Sequence, residues 1–179
     1  SYDCHCSPTL AGLKTGSLFS CPYSSQKMII KEIREFNQKL TQKGIRIIPV
    51  RISDKRMLVY VYRPEKLKED FSDEKTQIIL KCKGYDCTNL SQCICRLIQK
   101  LQSDPDFPHE IGLFLGYPAE DVKGFIENKA ACSKCSGCWK VYGDEQAARI
   151  LFKKYKKCTE IYCRRWKSGV AVEQLTITI

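Results

Sequence analysis

The chain has 179 residues, of which 43% are hydrophobic and 28% charged, proportions typical of a single globular domain over residues 1–179. Lysine and arginine number 30 against 20 for aspartate and glutamate, and the net charge of +10 favours anionic partners. The apolar runs are far shorter than the roughly 20 residues of a membrane-spanning helix, which excludes that class of protein. We recognise no secretory leader and therefore expect a cytoplasmic protein.

Twelve cysteines are a high count for a chain of this length. In a small secreted protein an even number would indicate a disulfide framework. This chain is larger, and its amphipathic patterns predict a core that needs no covalent crosslinks. We therefore expect reduced thiols, a usage most easily tolerated in an anaerobe.

The first part of the chain changes from a loop to a helix and then to strands. Residues 1–25 are rich in Ser, Thr, Gly, Pro and Cys and predict a loop with one helical turn. Apolar residues at spacings of three and four predict a helix over 26–43, which Gly44 ends. Two runs rich in Ile, Val and Tyr predict a β-hairpin over 45–63, and Pro64 begins a short helix.

The remainder of the chain is mostly helical in pattern. Its periodicity predicts helices over 74–82, 88–103, 108–115, 119–128 and 144–164. Short apolar segments predict strands near 139–142 and 170–179, and the unit of strand, helix and strand that they form would add a parallel pair. Since strands and helices do not alternate strictly, we expect an α+β fold: a small, mostly antiparallel sheet covered by about six or seven helices.

Four stretches carry a family resemblance: HCSPTLAGLKTGSLF at 5–19, VYVYRP at 59–64, FPHEIGLFLGYPAEDVKGFI at 107–126 and WKVYGD at 139–144. With these stretches the chain resembles a bacterial, largely clostridial family catalogued as domain-of-unknown-function family 3793. The resemblance implies a single-domain cytosolic protein of anaerobes without an assigned activity. It also implies a flavodoxin or an iron-related protein as a partner.

The two histidines and their neighbours are candidates for catalysis. His5 and His109 both lie in the distinctive stretches, and imidazole transfers protons near neutral pH. His109 and Glu110 begin a predicted helix, where they either line a pocket or cap the helix. Cys6 could be a nucleophile activated by an imidazole, with Glu110 or Asp144 orienting the base. The alternative is that these Cys and His residues are structural.

Further polar residues of the same stretches are candidates for binding a small anionic molecule. Gly12 and Gly16 flank Lys14, and glycine permits close approach of the backbone to a phosphate or carboxylate. The spacing is not that of a P-loop, and a tight turn is the alternative. We therefore predict one pocket built from distant segments, in a protein that could be an enzyme. Its ligand-binding residues would be Lys14, Ser17, Arg63, Tyr117, Lys140, Tyr142 and Asp144.

Residues 132–138 read CSKCSGC. Cys132, Cys135 and Cys138 have the spacing of three ligands for zinc or an iron–sulfur cluster, with no fourth cysteine nearby. A metal or thiol redox protein is one interpretation, and a flexible cysteine-rich loop is the other. The family pattern does not include this cluster among its fixed features, which counts against a metal site common to the family.

The predicted last helix has a basic face. Its cations are Lys153, Lys154, Lys156, Lys157, Arg164, Arg165 and Lys167, and the lysines fall opposite the apolar stripe. Such a face either binds nucleic acid or a protein partner, or is simply solvated. No helix-turn-helix or RNA-binding motif is recognisable beside it.

Overall fold

The computed structural model describes residues 5–179. The chain forms two compact units, one made of the residues up to Glu65 together with Tyr155–Ile179, the other of Lys66–Lys154. Helices and small antiparallel sheets give the predicted α+β class. Within the described residues, no helix is long and apolar enough to cross a membrane. The single domain over 1–179 stays a prediction.

The first unit contains a three-stranded antiparallel sheet. Its elements are α1 (Ser7–Leu10), β1 (Gly16–Pro22), α2 (Gln26–Leu40), β2 (Arg46–Ile52), β3 (Arg56–Tyr62), the second part of α8 (Glu145–Lys167) and α9 (Val172–Leu175). The strand order is β1–β3–β2, so β3 pairs on both sides. Four of its last five residues are buried, because Val59 and Val61 enter the core cluster on one face while Tyr60 and Tyr62 stack on each other on the opposite face.

Helix α2 and the hairpin after it confirm the prediction for this region. Ser25 caps the helix by accepting a hydrogen bond from the Met28 amide at 3.4 Å. One 3-10 turn follows, and Gly44 then ends the helical segment at a φ of +76°, a left-handed conformation that favours glycine. Ile33 and Leu40 belong to the buried core cluster that β3 also enters.

Strand β1 was not predicted, because 1–25 had been interpreted as a loop with one helical turn. The helical turn is α1, but a seven-residue strand follows it. β1 pairs with β3 from Gly16 opposite Tyr62 to Pro22 opposite Arg56. Its Gly, Ser and Pro residues have weak strand propensity and give no clear apolar alternation, so the pairing with β3 and not the local sequence stabilises it.

The predicted strand at 170–179 is wrong. Val172 and Leu175 are buried within the short helix α9, and the last four residues have no regular structure. The backbone amide of Ile177 donates to the Leu10 carbonyl at 3.0 Å, which is the hydrogen bond of an isolated contact and not of a ladder. The expected parallel pair is therefore wrong as well. The strand was predicted only from the alternation of apolar residues over 170–179. Val172 and Leu175 also have the three-residue spacing of a helical turn, which is the structure they adopt.

The second unit is mainly helical. Its elements are α3 (Pro64–Asp70) at the boundary, α4 (Glu74–Cys82), α5 (Leu90–Ser103), α6 (Ile111–Phe114), α7 (Ala119–Glu127), β4 (Cys135–Ser136), β5 (Lys140–Val141) and the first part of α8. Asp73 and Asn89 cap α4 and α5 with side-chain oxygens. The predicted strand near 139–142 is present as β5, but it pairs antiparallel with β4 in a separate two-stranded sheet.

Candidate functional site

A cavity of about 260 Å³ lies in the second unit between α6, α7 and the β4–β5 hairpin. We call it the aromatic cavity, after the rings of Tyr117, Phe125 and Trp139 that line it together with His109 and Lys140. Four of the predicted site residues therefore share one cavity: His109, Tyr117, Lys140 and the predicted metal ligand Cys138. The first three come from the two distinctive stretches at 107–126 and 139–144.

The turn between α6 and α7 positions Tyr117. Gly116 has a φ of +81°, the Tyr117 amide donates to the Gly112 carbonyl at 2.9 Å, and the Gly116 amide donates to Leu113 at 3.3 Å. These bonds form a Schellman motif, which ends α6 and turns the chain back over it. A Cβ on Gly112 would lie 2.8 Å from the Tyr117 ring and 2.9 Å from Val122. Gly112 therefore packs closely against these two side chains, which leaves no room for a larger residue.

Asp121 joins α7 to the hairpin, and sequence reasoning missed it. Its side chain is only 3% exposed. One oxygen accepts from the indole N–H of Trp139 at 2.7 Å, and the other accepts from the amides of Tyr142 and Gly143 at 2.8 and 2.7 Å. An acid in the first turn of a helix is ordinary and looks like a dipole partner, so the sequence offered no signal for these tertiary bonds.

The aromatic rings form a preorganised wall. Trp139 stacks on Tyr117 with ring centres 4.5 Å apart and an angle of 26°, and it meets Phe152 edge-on at 4.6 Å. His109 lies edge-on to Phe125 at 5.2 Å. Burial, together with the charge of Cys138, raises the pKa of Tyr117 to about 12, so its hydroxyl stays protonated at neutral pH.

Lys140 supplies a cation at the cavity. Its ammonium donates to the Ala130 carbonyl at 2.5 Å, which uses one of its three N–H donors. The carbonyl belongs to a loop in which Lys129, Ala130 and Cys132 have φ values of 47°, 64° and 58°. Left-handed backbone in residues other than glycine is costly, and here the tertiary contacts of the hairpin hold it.

Glu110 does not line the aromatic cavity, which corrects its expected pairing with His109 in a pocket. It is 3% exposed, and its Oε1 accepts from Lys100 at 2.6 Å and from the Tyr85 hydroxyl at 3.0 Å. Burial raises the pKa of Glu110, but the hydrogen bond and charge of Lys100 more than offset this and the net pKa is lowered. The geometry is that of a buried ion pair.

Tyr142 and Asp144 are not among the residues that line the cavity. The Tyr142 ring packs on Gly124 of α7, and its hydroxyl donates to the Ala131 carbonyl at 2.8 Å. Asp144 accepts from the Ala147 amide at 2.9 Å and so caps α8. Their contacts are those of a helix cap and of hairpin packing.

Arg63 belongs to the first unit and is 2% exposed. Its guanidinium donates to four backbone carbonyls, those of Thr9 at 2.7 Å, Leu10 at 2.8 Å, Ile177 at 2.8 Å and Lys43 at 3.0 Å. Burial lowers its pKa. Four of its five N–H donors are thus used within the protein, so the residue joins the chain segments of the first unit.

The other predicted residues of the first unit surround α1. Ser17 is buried with its hydroxyl 2.8 Å from that of Thr9, and Cys6 is buried in the core cluster. Lys14 is half-buried and its amide donates to the Pro8 carbonyl, while His5 is exposed. A pocket shared by these residues and those of the second unit stays a prediction.

The three cysteines of CSKCSGC lie on and beside β4. Cys132 and Cys138 are exposed and Cys135 is half-buried. Over residues 5–179, no group of three or more His, Cys, Asp or Glu side chains is arranged to hold a metal ion. Binding of zinc or an iron–sulfur cluster thus stays a prediction without support from the geometry. Ten cysteines of the described chain lie outside disulfides, whereas Cys163 is disulfide-bonded.

The comparisons with known proteins agree with the resemblance seen in the sequence. A family model described as a protein of unknown function (DUF3793) matches residues 4–176, which is nearly the whole chain. No curated protein and no solved structure matches it.

Proposed function

The chain belongs to this family of unknown function, and we propose that it binds a small planar molecule with an anionic group in the aromatic cavity. One observation carries the proposal. Two distinctive stretches, 107–126 and 139–144, converge on a single cavity with aromatic walls and a cation. Mostly apolar cavities with a few convergent polar groups are the usual form of small-molecule sites.

The walls favour a flat ligand. The stacked pair Tyr117 and Trp139 offers ring faces and edges, and Phe125 also lines the cavity, with its ring edge-on to His109. Aromatic pairs prefer offset-stacked and edge-on geometries, which a planar ring can extend. At about 260 Å³ the cavity is just below the range of roughly 300–1,000 Å³ that holds drug-sized ligands, so the ligand is small.

The charges favour an anion. The Lys140 ammonium has two donors beyond its bond to Ala130, and charge-assisted bonds to a carboxylate or phosphate are about twice as strong as neutral ones. The Asp121 carboxylate also lines the cavity, but three N–H donors compensate its charge. A reaction at this site would use His109 as the proton-transferring group.

Quenching of Trp139 fluorescence tests the proposal, in a Trp166→Phe background that leaves one tryptophan. The probes are benzoate and phenyl phosphate, each compared with the neutral benzamide. We expect saturable quenching by both anions, with Lys140→Met weakening their binding at least about 10-fold and leaving benzamide unchanged, because only the anions use the ammonium.

Lys134→Met is the matched control. Lys134 lies in the same hairpin, and its ammonium donates to the Gly143 carbonyl at 2.7 Å, but it does not line the cavity. The control should keep the affinity for both anions within about 2-fold. The proposal is overturned if no probe gives saturable quenching up to about 10 mM, or if Lys134→Met weakens binding as much as Lys140→Met.

A further inference from the structure

The second part of α8 exposes a set of cations that the aromatic cavity does not use. We infer that this surface binds the phosphate backbone of nucleic acids without reading their sequence. We call it the α8 basic face, and it consists of Lys156, Lys157, Arg164, Arg165 and Lys167, all of them exposed.

The two sides of this helix segment differ sharply in burial. Tyr155 and Cys158 are 6% and 8% exposed, and Tyr162 and Trp166 pack against the core cluster of the first unit. A helix turns about 100° per residue, so four of the five cations fall within an arc of about 100° on the opposite side. The packing therefore fixes which side faces solvent and keeps the cations in one stripe.

The charge of the α8 basic face has little compensation within the described chain. Glu160 is the one acidic residue of Tyr155–Lys167, which gives the segment a net charge of +4. Neither Glu160 nor any of the five cations takes part in the ion pairs found among residues 5–179. A stripe of like charges raises the local potential and attracts polyanions.

The exposed surface of this segment favours nucleic acid over a lipid membrane. A helix that binds membranes inserts an apolar face beside its cations. Here the apolar stripe is packed in the core, and the exposed large hydrophobic side chains of the described chain all lie outside Tyr155–Lys167. The face offers charge alone, and arginine and lysine contacts to phosphates need nothing else.

The length of the face sets the number of contacts. From Lys156 to Lys167 the helix rises about 16 Å, and phosphates of one duplex strand follow each other every 3.4 Å or so along the axis. The stripe therefore spans about five phosphates, and four or five neutralised phosphates correspond to a slope of about −4 for log K against log salt.

Fluorescence anisotropy with the full chain tests the inference, using a labelled 20-bp DNA duplex of arbitrary sequence and an RNA hairpin as separate arms. We expect binding that weakens about 250-fold between 50 and 200 mM salt, since a slope of −4 gives that factor. Binding of either polymer supports the inference, and the two arms show which is bound more tightly.

Charge reversal locates the surface. The variant Lys156→Glu/Arg164→Glu/Lys167→Glu should abolish the binding of nucleic acid. The control variant Lys27→Glu/Lys31→Glu/Arg34→Glu reverses the same number of charges on the exposed side of α2 and should retain most of the binding. If the first variant does not fold, the single change Lys157→Gln should reduce the salt slope by about one.

Any one of the following results overturns the inference: no binding of either polymer at about 50 mM salt, equal loss in the two triple variants, or an unchanged slope with Lys157→Gln. Vesicles containing phosphatidylserine are the third arm, and binding to them without binding to nucleic acid also overturns it.

Discussion

The charge of the buried Glu110 carboxylate is compensated by an ion pair with Lys100. Their carboxylate and ammonium are 2.6 Å apart, with only 4% and 22% of the side chains exposed. Lys100 also donates to the Lys83 carbonyl and lies 4.4 Å over the Tyr85 ring. A buried charge is tolerated when it is paired and hydrogen-bonded, and this pair satisfies both conditions.

Replacing Glu110 by Gln should therefore destabilise the protein by about 1–3 kcal/mol, because the change leaves the partly buried Lys100 ammonium without its counter-charge while its bond to the Lys83 carbonyl remains. The free energy of urea-induced unfolding measures the effect. The control is Glu127→Gln, which removes an exposed ion pair with Lys123 at 3.7 Å and should cost less than about 0.5 kcal/mol. Similar losses in the two variants would contradict a buried pair.

The same variant tests the pH dependence. The pKa of Glu110 is lowered below its ordinary value of 4.5, so its contribution to stability is full above that pH and is lost as the pH falls below it. Unfolding free energies measured from pH 7 to pH 3 should fall less steeply in Glu110→Gln than in the parent protein. Parallel curves would show that the folded and unfolded pKa values are the same.

At the scale of residues, the sequence identifies candidate site residues by their side-chain chemistry, but it does not show which distant residues they contact. It identified His109, Tyr117 and Lys140, because rare polar and aromatic residues stood out in the distinctive stretches. It missed Asp121, whose three donors come from residues 18 to 22 positions further along the chain. It also took Glu110 for a pocket residue, since nothing local shows that Lys100 and Tyr85 enclose it.

At the scale of elements, helix α7 depends on one close approach. A Cβ on Gly124 would lie 2.3–2.8 Å from atoms of the Tyr142 side chain, which packs directly on the helix backbone. This contact, together with the bonds of Asp121, holds the hairpin strand β5 against α7. The aromatic cavity lies between these same elements.

Gly124→Ala should therefore destabilise the protein, by about 1–2 kcal/mol, even though alanine is the better helix former by about 1 kcal/mol. The overlap with Tyr142 forces the ring to move, and this outweighs the gain in propensity. Urea unfolding gives the sign directly. The exposed substitution Gln99→Ala in α5 serves as control and should stay within about 0.5 kcal/mol of the parent. A stabilised Gly124→Ala variant would contradict the close packing.

The cysteines are spread over the whole molecule and differ in solvent exposure. Cys82, Cys95, Cys132 and Cys138 are exposed, while Cys93 and Cys158 are buried and burial raises the pKa of each to about 11. Cys93 also donates a hydrogen bond to the Asp86 carbonyl at 2.9 Å. Since the thiolate is the reactive form, burial acts on both access and ionisation.

Labelling with a thiol reagent at pH 8, followed by peptide mass spectrometry, should find the four exposed cysteines modified first. Cys93 and Cys158 should react at least about 100-fold more slowly, because a rise of two pKa units reduces the thiolate fraction by that factor. In denaturing urea the difference should disappear. Equal labelling rates for exposed and buried cysteines in the native protein would show that the packing around α5 and α8 opens readily to the reagent.

The sequence by itself determined the α+β class and most helices, because apolar periodicity, caps and left-handed glycines act within a few residues. The resemblance of its distinctive stretches indicated the family. Only the tertiary structure decided the rest. β1 exists because β3 pairs with it, α9 stands where a strand was expected and pairs with no strand among residues 5–179, and Asp121 joins segments some twenty residues apart. Such contacts depend on which distant groups meet, and hydrogen bonding and close packing between them leave no local pattern to read.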